Sequence, residues 1–173
     1  MIIYNQAFDL YHTIFRILHL INRFENEQMI EVDRIRIWDF YLLFPDKIRD
    51  IKLKKDESDI RKLRKRFIAE TNNPYEFIAE ERKVFEKIKV YQLSALNCIS
   101  SYGFIDQLSL TQERVVITNK VRLNNFVDQL GALTPKENNV ISLMTSHFYK
   151  MSLYGANGLK NRTNLMESKY DAQ

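Results

Sequence analysis

The sequence predicts a mainly α-helical protein with one small β-hairpin, a winged helix-turn-helix-like core with additional helices. Three observations lead there. Apolar residues recur at helical spacing through most of the 173 residues. Glycine occurs 4 times and proline 3 times, too seldom for a fold made of many tight turns. Residues 93–118, LSALNCISSYGFIDQLSLTQERVVIT, read as an apolar helix stopped at Gly103, a strand over 104–110, a polar turn and a second strand over 115–118. Helix, stop and hairpin form the second half of a winged helix, a module that recognises DNA or protein.

The remaining elements follow in order. A first helix is expected over 7–23, where Phe8, Tyr11, Phe15 and Leu18 form a stripe that Ile14, Ile17 and Ile21 widen. Asp9 early in it and Arg16 and Arg23 later suit the helix dipole. A polar loop at 25–28 leads to a second helix over 33–44, with Asp33 as N-cap, Ile37, Phe40, Tyr41 and Phe44 on one face, and Trp38 beside them. Pro45 ends it, because the residue before proline avoids helical geometry. Residues 48–53 are a connector with partial helical character.

A third helix is expected over 56–69, its seam Ile60, Leu63 and Phe67. Thr71, Asn72, Asn73 and Pro74 form a breaker. A long helical segment starts at Pro74, carries Phe77, Ala79, Val84, Phe85 and Ile88, and breaks near 90–92 before the helix that ends at Gly103. After the hairpin, Thr118 is the expected N-cap of a helix bearing Leu123, Phe126, Val127 and Leu130 and stopping at Gly131. Thr134-Pro135-Lys136-Glu137 spells a capping box with proline at the first helical position. The helix it opens carries Val140, Ile141, Leu143, Met144, Phe148 and Met151. The expected organisation is one winged-helix-like helical domain over 1–154 and a polar C-terminal tail over 155–173.

Composition excludes some functions. No uncharged apolar run approaches the ~18 residues of a membrane span, and the start MIIYNQAFDLY lacks the basic and small-residue marks of a signal peptide. Cys98 is the only cysteine, so no disulfide within the chain and no cysteine-rich zinc site can form. It reads as a buried thiol, and a reducing cytoplasm is the expected compartment. There is no Gly-rich phosphate loop, nucleophile elbow or HExxH pair. His12 and His19 are two turns apart, ~10.5 Å along a helix, too far to share a metal. His147 also reads as an ordinary helix residue. No enzyme, metal or cofactor is expected.

The net charge is +4, and its distribution matters more than its size. Residues 47–66 hold ten basic and four acidic residues, so the whole basic excess lies in this window. Lys52, Lys54, Lys55, Arg61, Lys62, Arg64, Lys65 and Arg66, with Arg114 on the presumed wing, are the candidate contacts to DNA or to an acidic partner. The presumed recognition helix over 90–102 carries almost no charge. Gln92, Asn97 and Ser100 are its only polar groups placed to read a base edge, so sequence-specific DNA recognition is disfavoured.

Four blocks then carry a family resemblance: YNQAFDLYHTIFRIL, IEVDRIRIWDFYLLFP, SSYGFID and GLKNRTNLMESKYD. In order and rough spacing they resemble the middle component, fifth type, of ABC-three-component systems, which are similar to Lamassu-type anti-phage defence. The resemblance implies a small, non-catalytic, winged-helix-like subunit between an SMC/Rad50-like ABC ATPase and an effector, often a nuclease. Non-specific contact with double-stranded DNA is a further expectation. In that reading the tail is a partner-binding segment, with Leu159, Leu165, Met166 and Tyr170 as apolar anchors and Lys160 and Arg162 among them. The alternative is a free-standing winged-helix DNA-binding regulator.

Overall fold

The computed structural model describes residues 5–25, 28–68 and 80–166, and the chain folds as two compact units. Unit 1 comprises Met1–Asp39 and Lys87–Ala132; unit 2 comprises Phe40–Glu86 and Leu133–Gln173. The expected breaker at Thr71–Pro74, the helix start at Pro74, Phe77, Ala79, Tyr170 and the side chain of Phe67 lie outside the described residues.

In unit 1, a 3-10 turn over Gln6–Phe8 leads into α1 (Leu10–Ile21). Asp9 caps α1 by accepting the His12 amide at 2.8 Å. The buried face is not centred on the expected stripe. Thr13, Arg16, Ile17, Leu20 and Ile21 are buried together with Leu18, whereas Tyr11 is 83% exposed and Phe8 38%. Most positions of α1 are apolar and they occur all round the helix, so periodicity leaves its rotation open. The ion pair from Arg16 to Asp39 selects it.

β1 (Ile30–Glu31) pairs antiparallel with β2 (Arg114–Val115), Ile30 opposite Val115 and Glu31 opposite Arg114. A separate antiparallel bridge joins Ile105 to Ile117. The strand expected over 104–110 is therefore mostly absent, and α5 (Gln107–Thr111) occupies it. Asp106 explains the difference: its carboxylate accepts the backbone amide and the hydroxyl of Ser109, each at 2.7 Å, an N-cap that outweighs the strand propensity of the apolar residues. Glu113 then takes a left-handed conformation, φ 57°, before β2.

α2 (Val32–Leu43) follows β1 directly, so Asp33 lies inside its first turn rather than capping it. The helix ends before Pro45 as expected, and a 3-10 turn covers Pro45–Asp50. α3 is Ser58–Phe67 and α4 is Glu81–Ser101. α4 is one helix of 21 residues with no break near 90–92; neither glycine nor proline interrupts it. α6 (Lys120–Val127) is capped by Asn119, one residue after the expected Thr118, and ends before Gly131. The Thr118 hydroxyl donates to the Gly103 carbonyl instead. α7 (Pro135–Ser146) begins with the full capping box: the Glu137 amide donates to Thr134 and the Thr134 amide to Glu137. It ends earlier than expected, and a 3-10 turn at Phe148–Lys150 follows.

Each unit has its own core. Phe24 stacks flat on Trp38 at 5.6 Å in unit 1, beside fully buried Ile17, Leu96, Val115 and Leu123. In unit 2, Phe40 meets Phe85 edge-on at 5.9 Å, with Ile48, Val140, Met144 and Phe148 buried. Each such side chain contributes about 1.5–3 kcal/mol by burial.

Residues 155–166, expected as a polar tail, fold into unit 2. The Leu159 amide donates to the Ser152 carbonyl at 2.8 Å, and α8 (Leu159–Thr163) buries Leu159, with Leu165 buried just after it. Two glycines make the turn. Gly155 has φ +87° in open space, whereas a Cβ on Gly158 would lie 2.2 Å from the Tyr154 carbonyl oxygen. Gly158→Ala should therefore cost about 3 kcal/mol of stability, the upper range for forced packing. Gly155→Ala should cost about 1–2 kcal/mol, from backbone strain alone. Denaturant unfolding of the two variants checks the order; a larger loss at Gly155 would show that the close approach is not the constraint.

Candidate interaction surfaces

α2 is buried along most of its length, and its charges must therefore be paired. Asp39, fully buried, accepts from Arg16 Nε at 2.6 Å and from Gln92 Nε2 at 2.9 Å. Gln92 also donates to the Arg36 carbonyl at 3.0 Å and accepts from Arg36 Nε at 3.2 Å. Arg36 pairs with Asp33 at 3.0 Å, and Arg16 Nη2 donates to Thr13 Oγ1 at 3.0 Å. This network ties α1, α2 and α4 together within unit 1. It also corrects two expectations: Gln92 is wholly buried and reads no base edge, and Arg16 is an internal clamp rather than a dipole partner. Of the other two candidate readers, Asn97 is exposed, while the Ser100 hydroxyl donates to the Ile105 carbonyl. The sequence signal for the clamp was Asp39 itself, a carboxylate inside the apolar run IWDFYLLF.

Unit 1 also opens a cleft of about 580 Å³. Tyr11, Ile14 and Leu18 of α1 form one wall, and Arg122, Asn125 and Gln129 line the other on and just after α6. Cys98 and Ile99 of α4, with Phe104 beyond it, make the floor, and Tyr102, just past the helix, stands at the edge. Cys98 is only partly buried. Arg122 lies over the Phe104 ring, 4.9 Å from its centroid. Among the described residues no carboxylate lines the cleft. The rotation of α1 that points Arg16 inward is what turns Tyr11 outward to this edge.

The basic window gathers in unit 2, but its members divide by role. Lys52, Lys54, Lys55, Lys62, Lys65 and Arg66 are exposed. Arg64 is half-buried and donates to the carbonyls of Ile48, Arg49 and Ile51 at 2.9–3.4 Å, closing the end of the 3-10 turn. Burial pushes its guanidinium pKa down, as does the charge of Arg61, against an upward pull from Asp50. Arg61 donates to the Lys54 carbonyl. Arg114 belongs to unit 1, exposed, 3.6 Å from the Met29 sulfur.

The proposed tail residues lie mainly inside unit 2. Leu159, Lys160, Arg162 and Leu165 are buried, Met166 is half-buried, and Tyr170 is outside the described residues. The structure brings the window and this segment together. Arg162 Nη1 meets both Glu57 oxygens at 2.9 and 2.7 Å, and the Lys52 amide donates to the Arg162 carbonyl at 3.2 Å. Lys160 lies over the Tyr154 ring at 4.7 Å. Beside this clasp, Lys54, His147 and Lys150 line an open cleft of about 390 Å³.

His19 faces the Gly131 carbonyl at 3.2 Å and meets Phe15 edge-on. Among the described residues no three His, Cys, Asp or Glu side chains gather as a metal site, and no helix is long and apolar enough to cross a membrane.

The chain is mostly helical, with an apolar cleft in unit 1 and exposed lysines in unit 2. The family model for the ABC-three component (ABC-3C) system Middle Component 5 matches residues 2–171, and the chain belongs to that family. It is thus a middle component of such a system, as fits an accessory subunit. No curated protein and no solved structure matches it.

Asp39→Ala should cost about 3–5 kcal/mol, because it leaves the Arg16 guanidinium buried without its carboxylate. The double variant Arg16→Met/Asp39→Leu should lose less than Asp39→Ala alone, since no uncompensated charge remains. Equal losses on denaturant unfolding would show that packing, not charge compensation, governs the site.

The Glu57–Arg162 clasp should give an acid-sensitive limb. Burial raises the Glu57 carboxyl pKa, but hydrogen bonds from Arg162 and the Lys54 amide, with the charges of Arg162 and Lys54, outweigh it and hold the pKa below its ordinary 4.5. A lowered folded-state pKa stabilises above the unfolded value and loses that contribution as pH falls through the folded one. Glu57→Gln should therefore flatten the fall in stability below about pH 4.5. Thermal unfolding from pH 7 to 3 tests this, and an unchanged acid limb would remove the clasp as its source.

Proposed function

We propose that this chain is the non-catalytic adaptor of a Lamassu-like anti-phage defence complex, joining an SMC/Rad50-like ABC ATPase to an effector, often a nuclease. The family match over residues 2–171 carries this reading. The division of surfaces supports it. Lys52, Lys54, Lys55, Lys62, Lys65 and Arg66 present positive charge for an acidic partner or for non-specific contact with duplex phosphates. Arg61 and Arg64, turned onto backbone carbonyls, hold that surface in shape. Leu159 and Leu165 are already buried in their own unit, so they are not free anchors, and docking falls to the exposed surfaces.

The adaptor core in this reading is winged-helix-like. β2 has β1, which precedes α2, on one side, and two residues further along Ile117 bridges Ile105, so the antiparallel stretches around Ile105 and over 114–117 follow the helix α4 while β1 comes from before it. A long insertion separates α2 from α4, and α5 stands where a simple wing would loop.

The test is a tagged purification from cells carrying the flanking genes, at moderate salt. Stoichiometric recovery of a coiled-coil ATPase is expected. Replacing Lys62 and Lys65 by Glu should weaken recovery about tenfold if they meet an acidic surface, with unfolding unchanged. Recovery of this chain alone, or with DNA only, would overturn the adaptor reading.

A further inference from the structure

We propose that the cleft between α1 and α6 in unit 1 is a docking groove for one amphipathic helix of another component of the system, with an acidic side chain of that helix set against Arg122. This names a partner surface for the adaptor and rests on that reading.

The geometry suits a helix. Tyr11, Ile14 and Leu18 stand at i, i+3 and i+7 along α1, and Arg122, Asn125 and Gln129 repeat the same spacing on the facing wall. The α1 wall therefore shows two helical turns, ~10.5 Å, to the groove, and the facing wall runs along α6 and into the turn after Val127. A helix lying in such a groove anchors by side chains at i, i+3, i+4 and i+7. The floor is apolar, from Ile99 and Phe104, and two large aromatics stand exposed at its edge, Tyr11 at 83% and Tyr102 at 65%. Exposed tyrosines around an apolar floor are the residue types that carry binding energy at protein interfaces.

Charge selects the occupant. Among the described residues Arg122 is the only charged side chain lining the cleft, and it makes no ion pair with any of them. Its guanidinium lies over the Phe104 ring at an exposed position, where a carboxylate from a docked helix can reach its planar fork of donors. The matching ligand is a helix with an apolar stripe and one Asp or Glu. A second copy of this chain docking through the same face fits worse: a two-fold contact sets the patch against itself, and this patch offers Arg122 no carboxylate. A nucleic acid would need several cations, and the cleft has one.

Cys98 makes the proposal measurable, because it lines the groove and is the chain's only cysteine. The full-length chain is treated with iodoacetamide alone and in the assembled complex with the other two components, and Cys98 modification is followed by mass spectrometry. With partner at about ten times Kd the free fraction falls to about a tenth, so alkylation should slow ~tenfold. Arg122→Glu, at an exposed position, should raise Kd about tenfold or more without changing the unfolding curve, and reversing one partner acid to Lys should restore binding. A complex that forms with Cys98 alkylated at the free rate, or that ignores Arg122→Glu, overturns the groove and leaves the adaptor reading standing. Concentration-dependent protection in the chain alone identifies a second copy as occupant and overturns the proposed helix. Failure of any complex to form overturns the adaptor reading and the groove with it.

Discussion

The Asp39 carboxylate is the constraint on which unit 1 depends. It is fully buried, and a buried carboxylate is tolerated only when cations and hydrogen-bond donors reach it from fixed directions. Arg16 comes from α1, Gln92 from α4, and Asp39 itself sits on α2, so three helices are held by one pair of oxygens. Hydrophobic contact alone would leave α1 free to turn, because most of its residues are apolar. Directional hydrogen bonds remove that freedom. The cost is that no member of the network can be lost singly without exposing the others to an unpaired interior.

This arrangement explains which parts of the fold could be read in the sequence. The longer helices were legible, though the short α5 and α8 were not, and so were the stops and starts with local chemistry: Pro45, the Thr134–Glu137 box and the helix end near Gly103. Local capping also decided the main difference. Asp106 and Ser109 are three residues apart, an N-cap signal sitting within what otherwise reads as a strand. The pairing of β1 with β2 was not legible, because the partners lie more than 80 residues apart in strands of two residues, too short for alternation to register. The rotation of α1 was hidden for another reason. Periodicity weighs residues singly, and the decisive term was a pair, Arg16 with Asp39.

The basic window shows the same limit at the candidate site. Counting charges marks the window along the chain but treats its cations as equivalent. Arg64 is bound to three carbonyls and Arg61 to one, while the lysines remain at the surface. The split follows side-chain chemistry. A guanidinium offers five donors in a planar fork and can satisfy several backbone oxygens at once, whereas an ammonium is strongly hydrated and favours water. Near a turn with carbonyls to satisfy, Arg61 and Arg64 therefore go to structure, while Arg66 stays at the surface with the lysines. The tail follows a parallel logic: its polar composition suggested exposure, yet Leu159 and Leu165 were sufficient to draw α8 into unit 2, where Arg162 found Glu57.

The exchange on α1 ties the interior of unit 1 to its surface. A charged residue, Arg16, points inward, and an aromatic residue, Tyr11, points out. Either alone is unfavourable in an isolated domain: the first because a charge leaves water, the second because a large apolar ring stays in it. Asp39 and Gln92 compensate the first within unit 1. Nothing among the described residues covers the 83% of Tyr11 that remains exposed, and it stands at the edge of an apolar cleft whose arginine meets no carboxylate among them. The chain is a middle component of a three-component system, and the second exposure is the one that the proposed partner helix would relieve. The buried clamp therefore does more than stabilise unit 1. By fixing the rotation of α1, it also fixes where Tyr11, Ile14 and Leu18 stand along the cleft, the preorganisation that the proposed docking would draw on.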